Sequence, residues 1–358
     1  MYKDDKMTPM ERLGAFMTGE PMDRILIMPF CVSIAHRVLG MTHREKRSSA
    51  RNQADAQFAC YDRYGNDLLI IEYGLHGLGS ALGTKMNDPE DSVPAITEHV
   101  LKDLNQIDDL DFSLTKLDKD PWFQSTLEAT KLCIQEKGTE VPTGVLISGP
   151  FTAASSIYPM DKMLKASRKE PELLHKLIRK CTDALKEIYL EYIKAGAFIL
   201  QCDPIASGTI LRESQYVEFV KPYATELSEM ITAVGGVNAY HICGNTRSIV
   251  NEMQETGASM ISVDNIVDME FVKERIGDQI PILGNVDPVG VLLLGSREEI
   301  FEAVRIAIAK SYDSPSGYIL ASGCDITQNV PVENVDYFME AGRYFGKMPL
   351  DLEKIGRP

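Results

Sequence analysis

The feature that most constrains this chain is a recurring alternation, in which short apolar runs rich in β-branched residues are separated by longer segments with helical spacing. Eight such runs occur, at 24–30 (RILIMPF), 67–74 (DLLIIEYG), 144–150 (GVLISGP), 198–204 (FILQCDP), 239–244 (AYHICG), 260–265 (MISVDN), 281–286 (PILGNV) and 318–325 (YILASGCD). Runs this short and continuously apolar belong to strands buried on both faces, as in a parallel sheet covered by helices. Helices are predicted between them, most clearly over 171–195, where Leu174, Leu177, Ile178, Cys181, Leu185, Ile188 and Tyr192 recur on one face. Pro171 suits the first helical turn, and Gly196 closes the pattern. Further helices are expected over 214–234, 246–256, 297–312 and 332–345. Eight strands alternating with helices predict an α/β chain folded as a (β/α)8 TIM barrel, in preference to an open doubly wound sheet. An N-terminal extension precedes the first strand, and an acidic, proline-bearing stretch at 87–122 reads as an excursion between the second and third. No repeat or clean linker divides the sequence, so 1–358 reads as one barrel domain.

Charge narrows the partners. With 37 basic and 52 acidic side chains the formal net charge is −15, and no Lys/Arg run relieves it. Nucleic acid and anionic membrane surfaces are therefore excluded as expected partners, because phosphate contacts demand positive charge. No apolar run approaches the ~20 residues that span a bilayer, and residues 1–20 show no secretory pattern. A cytoplasmic location is expected. The seven cysteines, an odd number spread from Cys31 to Cys324, suggest thiols or metal ligands and not a disulfide framework. A phosphate-cradling G-x-x-x-x-G-K-[ST] loop, a G-x-G-x-x-G turn after a strand and a serine nucleophile elbow are all absent from the sequence.

In a barrel of this kind the active site forms at the C-terminal ends of the strands. Those ends carry Glu72, Asp203, His241 with Cys243, Asp264, Asp287, and Cys324 with Asp325. His241 and Cys243 are two apart on a predicted strand, so both side chains project to the same side. Imidazole and thiolate are good zinc ligands, and Cys324, at the end of the last strand, would share their rim because that strand closes the barrel. Three ligands would leave a coordination position for substrate. Small buried cysteines and a core histidine explain the same spacing equally well. Asp264 could supply a fourth ligand that a substrate displaces, or simply cap the following loop. Glu72 and Asp203 are the candidate catalytic acids or bases, with solvation or capping as the alternative. His76 and the His36–Arg37 pair, placed after the second and first strands, could reach substrate or lie on surface helices.

Taken together, MTPMERLGAFMTGEPMDRILIMPF, DPIASGTILRESQYVEFVKPY, HICGNT, ISVDN, ILGNVDPV and ILASGCDITQNVPVENV resemble the uroporphyrinogen decarboxylase superfamily, in its corrinoid-dependent methyltransferase branch. The resemblance spans nearly the whole chain, and it implies the (β/α)8 barrel reached above from the strand count. It also implies a catalytic zinc held by His241, Cys243 and Cys324. The order of ligands is similar to that of cobalamin-independent methionine synthase, where an acidic position matches Asp264. The implied reaction moves a methyl group between a corrinoid on a cobalamin-binding partner protein and a small methyl donor or acceptor, a thiol acceptor first. The alternative is the first methyltransferase of a corrinoid-dependent O-demethylase, in which zinc polarises a methyl ether; a metal-free uroporphyrinogen decarboxylase-like enzyme, and behind it a silent corrinoid-binding or scaffold protein, rank below both. The decarboxylase branch carries an R-Q-A-G-R segment after the first strand for its polycarboxylate substrate. Here CVSIAHRVLG offers only Arg37, and Glu72 stands where that branch has an aspartate. A homodimer stays open.

Overall fold

The computed structural model describes residues 5–356. In chain order its strands are Leu69–Gly74 (β1), the short Lys85–Met86 (β2) and Ile96–Glu98 (β3), Thr143–Ser148 (β4), Phe198–Cys202 (β5), Asn238–Ile242 (β6), Met260–Val263 (β7), Ile282–Val286 (β8) and Tyr318–Ser322 (β9). Seven of them form one sheet in the order β1-β4-β5-β6-β7-β8-β9, and every neighbouring pair is parallel. Helices on the outside complete a (β/α)8-type barrel.

The first apolar run, 24–30, is expected as a strand and is instead an extended segment that bridges the sheet's two edges. On one side Met28 N–H donates to Leu320 O (2.8 Å) and Leu320 N–H to Leu26 O (3.0 Å). On the other, Asp67 N–H donates to Ile27 O at 3.0 Å, while Ile27 N–H is taken by the Asp67 carboxylate at 2.7 Å. The ladder goes no further because Pro29 has no N–H and a side chain occupies that of Ile27. The segment closes the barrel all the same, since Leu26, Met28 and Phe30 alternate into the interior with Ile70, Leu200 and Ala239.

The 171–195 expectation matches the helix Pro171–Lys194, whose Leu174, Leu177, Ile178, Cys181, Leu185 and Ile188 are buried. The single helix expected over 214–234 is two, Glu213–Phe219 and Lys221–Ala233. Pro222 supplies no N–H to the preceding turn and its ring crowds it, so the helix restarts there. Over 246–256 only Val250–Gln254 is helical. The excursion places the β2–β3 hairpin over the mouth before the chain enters the helix Pro121–Lys137, which Asp120 caps through Phe123 N–H. At the opposite end, Arg12 and Arg24 converge on the fully buried Asp67 at 2.5 and 2.6 Å, with Asp5 and Asp23 as further partners. Among the described residues no helix is long and apolar enough to cross a membrane.

Candidate metal centre and active site

Strand parity and register build the site. On β6, Ala239 and His241 face the interior, and Cys243 follows one residue past the strand. Register pairs His241 with Ser262 of β7. His241 Nδ1 lies 3.0 Å from Ser262 Oγ and Nε2 3.2 Å from Cys243 Sγ. Cys243 Sγ is 3.3 Å from Cys324 Sγ, and the three donor atoms lie within 4.8 Å of one another. Two glycines permit this approach. Gly244 turns the chain after Cys243 at φ 79, where a side chain would be strained. At Gly323, preceding Cys324, a Cβ would come within 2.6 Å of Asn265 N.

The donors fit a zinc ion. With Nδ1–H donating to Ser262, the ring presents its Nε2 lone pair to the two sulfurs, the orientation a ligating imidazole needs. A tetrahedral ion with Zn–S near 2.3 Å holds two sulfurs roughly 3.8 Å apart. The 3.3 Å sulfur pair therefore needs to open by only about half an ångström. The sulfurs are also within hydrogen-bond reach of each other. The Cys243 thiol hydrogen-bonds to Cys324 and holds the Cys324 thiol down to about 4, whereas the Cys243 thiol is pushed up by that same bond and by burial.

These groups line a cavity of about 210 Å³ at the C-terminal ends of the strands, together with Phe30, Leu146, Leu200 and Cys202. Glu72, from β1, reaches the same cavity, with Lys46 Nζ 3.8 Å from its carboxylate. Asp325 lines it too. Its Oδ1 accepts from Val32 and Ser33 N–H, both at 3.1 Å, and burial pushes its carboxyl up to about 7.

The other strand-end carboxylates serve the backbone. Asp264 accepts from Gly244 N–H (2.7 Å) and Ile266 N–H (3.1 Å), and it lies outside the three-donor group. Asp203 is fully buried behind the cavity wall, where its Oδ1 accepts from Thr152 N–H at 2.7 Å in the first turn of the helix Pro150–Ile157. Burial raises its carboxyl to about 6. Asp287 accepts from Val289 and Gly290 N–H, closing its own turn. His36 is buried against Ser33 O, and Arg37 reaches Gln328 O, so neither lines the cavity. His76 lines an adjoining cleft. Sequence reasoning missed Ser262, since its role depends on a cross-strand register that no single run displays.

Comparison with known proteins agrees with this architecture. The sequence profile described as uroporphyrinogen decarboxylase (URO-D) matches residues 8–345. The chain is 26% identical to a methylcobamide:CoM methyltransferase, MtaA, of Methanosarcina barkeri, covering 92% of this chain and 96% of the relative. It is also 26% identical to a methylcobamide:CoM methyltransferase, MtbA, of Methanosarcina acetivorans, covering 94% and 98%. A uroporphyrinogen decarboxylase of Prochlorococcus marinus is 30% identical over a shorter span, 69% of this chain and 71% of the relative. Among solved structures, a methyltransferase from Methanosarcina mazei superimposes with a TM-score of 0.84 at 27% identity, covering 95% of this chain and 99% of that one. The chain belongs to the uroporphyrinogen decarboxylase family, in its corrinoid-dependent methyltransferase branch.

Proposed function

We propose that this chain, acting as one domain over 1–358, transfers a methyl group between a corrinoid carried by a partner protein and a small substrate, a thiol acceptor first, bound at a zinc ion. The observation that carries this reading is the meeting of one imidazole and two sulfurs at the wall of an open cavity. His241, Cys243 and Cys324 would hold the ion, with Ser262 fixing the imidazole ring. A zinc ion there would keep a substrate thiol deprotonated, and so nucleophilic, at neutral pH. Glu72, half-buried on the opposite wall, can accept the thiol's proton or orient the substrate. Asp264 steadies the Cys243 turn, and Asp203 braces the strand carrying Cys202 against its neighbouring helix.

Uroporphyrinogen decarboxylation fits less well. A substrate with many carboxylates needs cations around it, and among the described residues the inner cavity presents no Arg or Lys and two acids, Glu72 and Asp325.

The test is elemental analysis alongside methyl transfer from methylcobalamin to added thiols. Wild type should carry close to one zinc per chain and turn over. His241→Ala and Cys324→Ala should lose both the metal and the transfer. Undiminished transfer in chelator-stripped protein or in Cys324→Ala would defeat the proposal.

A further inference from the structure

The 210 Å³ cavity continues into a larger cleft of about 410 Å³, and the two share Glu72, Leu75 and Val93. The cleft lies between the loop after β1, the β2–β3 hairpin and Trp122, and its size falls in the usual range of small-molecule sites, about 300–1,000 Å³. Leu75, Met86, Val93, Pro94 and Trp122 make much of its wall apolar.

Its charges are already spent. Arg47, the one Arg or Lys lining the cleft among the described residues, is held by Pro89 O at 3.0 Å, by His43 Nδ1 at 3.0 Å and by Asp88 at 2.9 Å, a carboxylate whose other oxygen pairs with Arg44 at 3.0 Å. Lys46, behind the wall, donates to Val32 O and faces Glu72. Burial drops the His43 imidazole to about 3 and lowers that of His76, so both rings are neutral near pH 7. An anionic headgroup would therefore shed water to meet the Glu72 carboxylate, while the Arg and Lys side chains around the cleft already have partners. His43 Nε2 and His76 Nδ1 are buried atoms of cleft-lining residues with no hydrogen-bond partner among the described residues, and they add no charge to the wall.

We propose that the substrate of this site is uncharged and apolar-bodied, its sulfur or methylated heteroatom at the His241–Cys243–Cys324 group and its body along Leu75, Val93 and Trp122, and that anionic thiols are excluded. Coenzyme M, the thiol in the relatives' names, carries a sulfonate and falls in the excluded class. The reacting end of this assignment rests on the methyl-transfer reading, but occupancy of the cleft does not require the metal.

Trp122 is the single tryptophan of the chain, so its emission reports the cleft alone. The full chain, zinc-loaded and chelator-stripped, is titrated with benzyl mercaptan and then challenged with 2-mercaptoethanesulfonate. We expect a saturable change of Trp122 emission in both preparations, with the sulfonate competing more than tenfold more weakly. Val93→Lys, at a partly exposed position where the two chambers meet, should narrow that ratio at least fivefold. No saturable change, or equal competition by the sulfonate, overturns the proposal. Saturable binding without methyl transfer from methylcobalamin in the zinc-loaded protein would sink the methyl-transfer reading and leave the cleft assignment standing. Methyl transfer to the sulfonate as efficient as to benzyl mercaptan would do the reverse.

Discussion

Asp203 separates a supporting carboxylate from a reacting one. It is fully buried, its Oδ1 accepts from Thr152 N–H at 2.7 Å, and its Oδ2 has no hydrogen-bond partner among the described residues. Burial lifts its carboxyl from 3.8 to about 6. At about 1.4 kcal/mol per pKa unit, ionising it in the folded chain costs about 3 kcal/mol relative to the unfolded chain. Below roughly pH 4 both states are protonated and the full stability is present. Between about 4 and 6 the unfolded chain ionises first and stability falls with rising pH, and above about 6 the loss is complete. Asp203→Asn keeps an oxygen acceptor for Thr152 and removes the titration. Its stability relative to wild type should therefore rise by about 3 kcal/mol between pH 4 and pH 7. Urea unfolding of both proteins, followed by circular dichroism with chelator present so that metal binding cancels, measures the difference. A difference that stays flat with pH, joined to a hundredfold loss of methyl transfer in Asp203→Asn, would refute this reasoning and place Asp203 in contact with the substrate.

Three other carboxylate and hydroxyl substitutions separate ligand support from frame stability. Ser262→Ala removes the partner of His241 Nδ1, so zinc affinity measured by chelator competition should fall about 10- to 100-fold while the fold persists. Asp264→Asn should keep wild-type zinc content by elemental analysis, since both carboxylate oxygens serve backbone N–H groups. Asp67→Asn leaves Arg12 and Arg24 with their outer partners alone, and a stability loss of about 3–5 kcal/mol is expected in urea unfolding.

How much of this was legible in the sequence depends on what each element needs from its neighbours. The seven parallel strands and the helix Pro171–Lys194 are written in local periodicity, so they could be read directly. The run at 24–30 has strand composition, but the Asp67 side chain occupies the Ile27 N–H that a ladder would use, a contact spanning 40 residues. His241 and Cys243 are legible as a pair because period two is local. Cys324 reaches them only because the sheet closes and because Gly323 can lie against Asn265. Ser262 depends on register alone.

The strand-end acids show why residue type and position were insufficient to assign chemistry. Asp203, Asp264 and Asp287 all stand where a catalytic or ligating group could stand, yet each accepts from backbone N–H groups at the strands' C-terminal ends, Asp287 in its own turn, Asp264 in its own turn and in the turn after the neighbouring β6, and Asp203 in the helix after the neighbouring β4. A sharp turn after a buried strand leaves such N–H groups without ladder partners, and a short carboxylate satisfies them. Glu72 differs in its length and its neighbours. Among the described residues it receives no backbone hydrogen bond, its nearest cation is Lys46 at 3.8 Å, and it borders both the inner cavity and the outer cleft. A donor at a strand end is free for chemistry only when the following turn is held by something else. After β1 that condition leaves Glu72 available to a substrate. After β6 the carboxylate of Asp264 takes the Gly244 N–H and so leaves the Cys243 sulfur free to face His241 and Cys324.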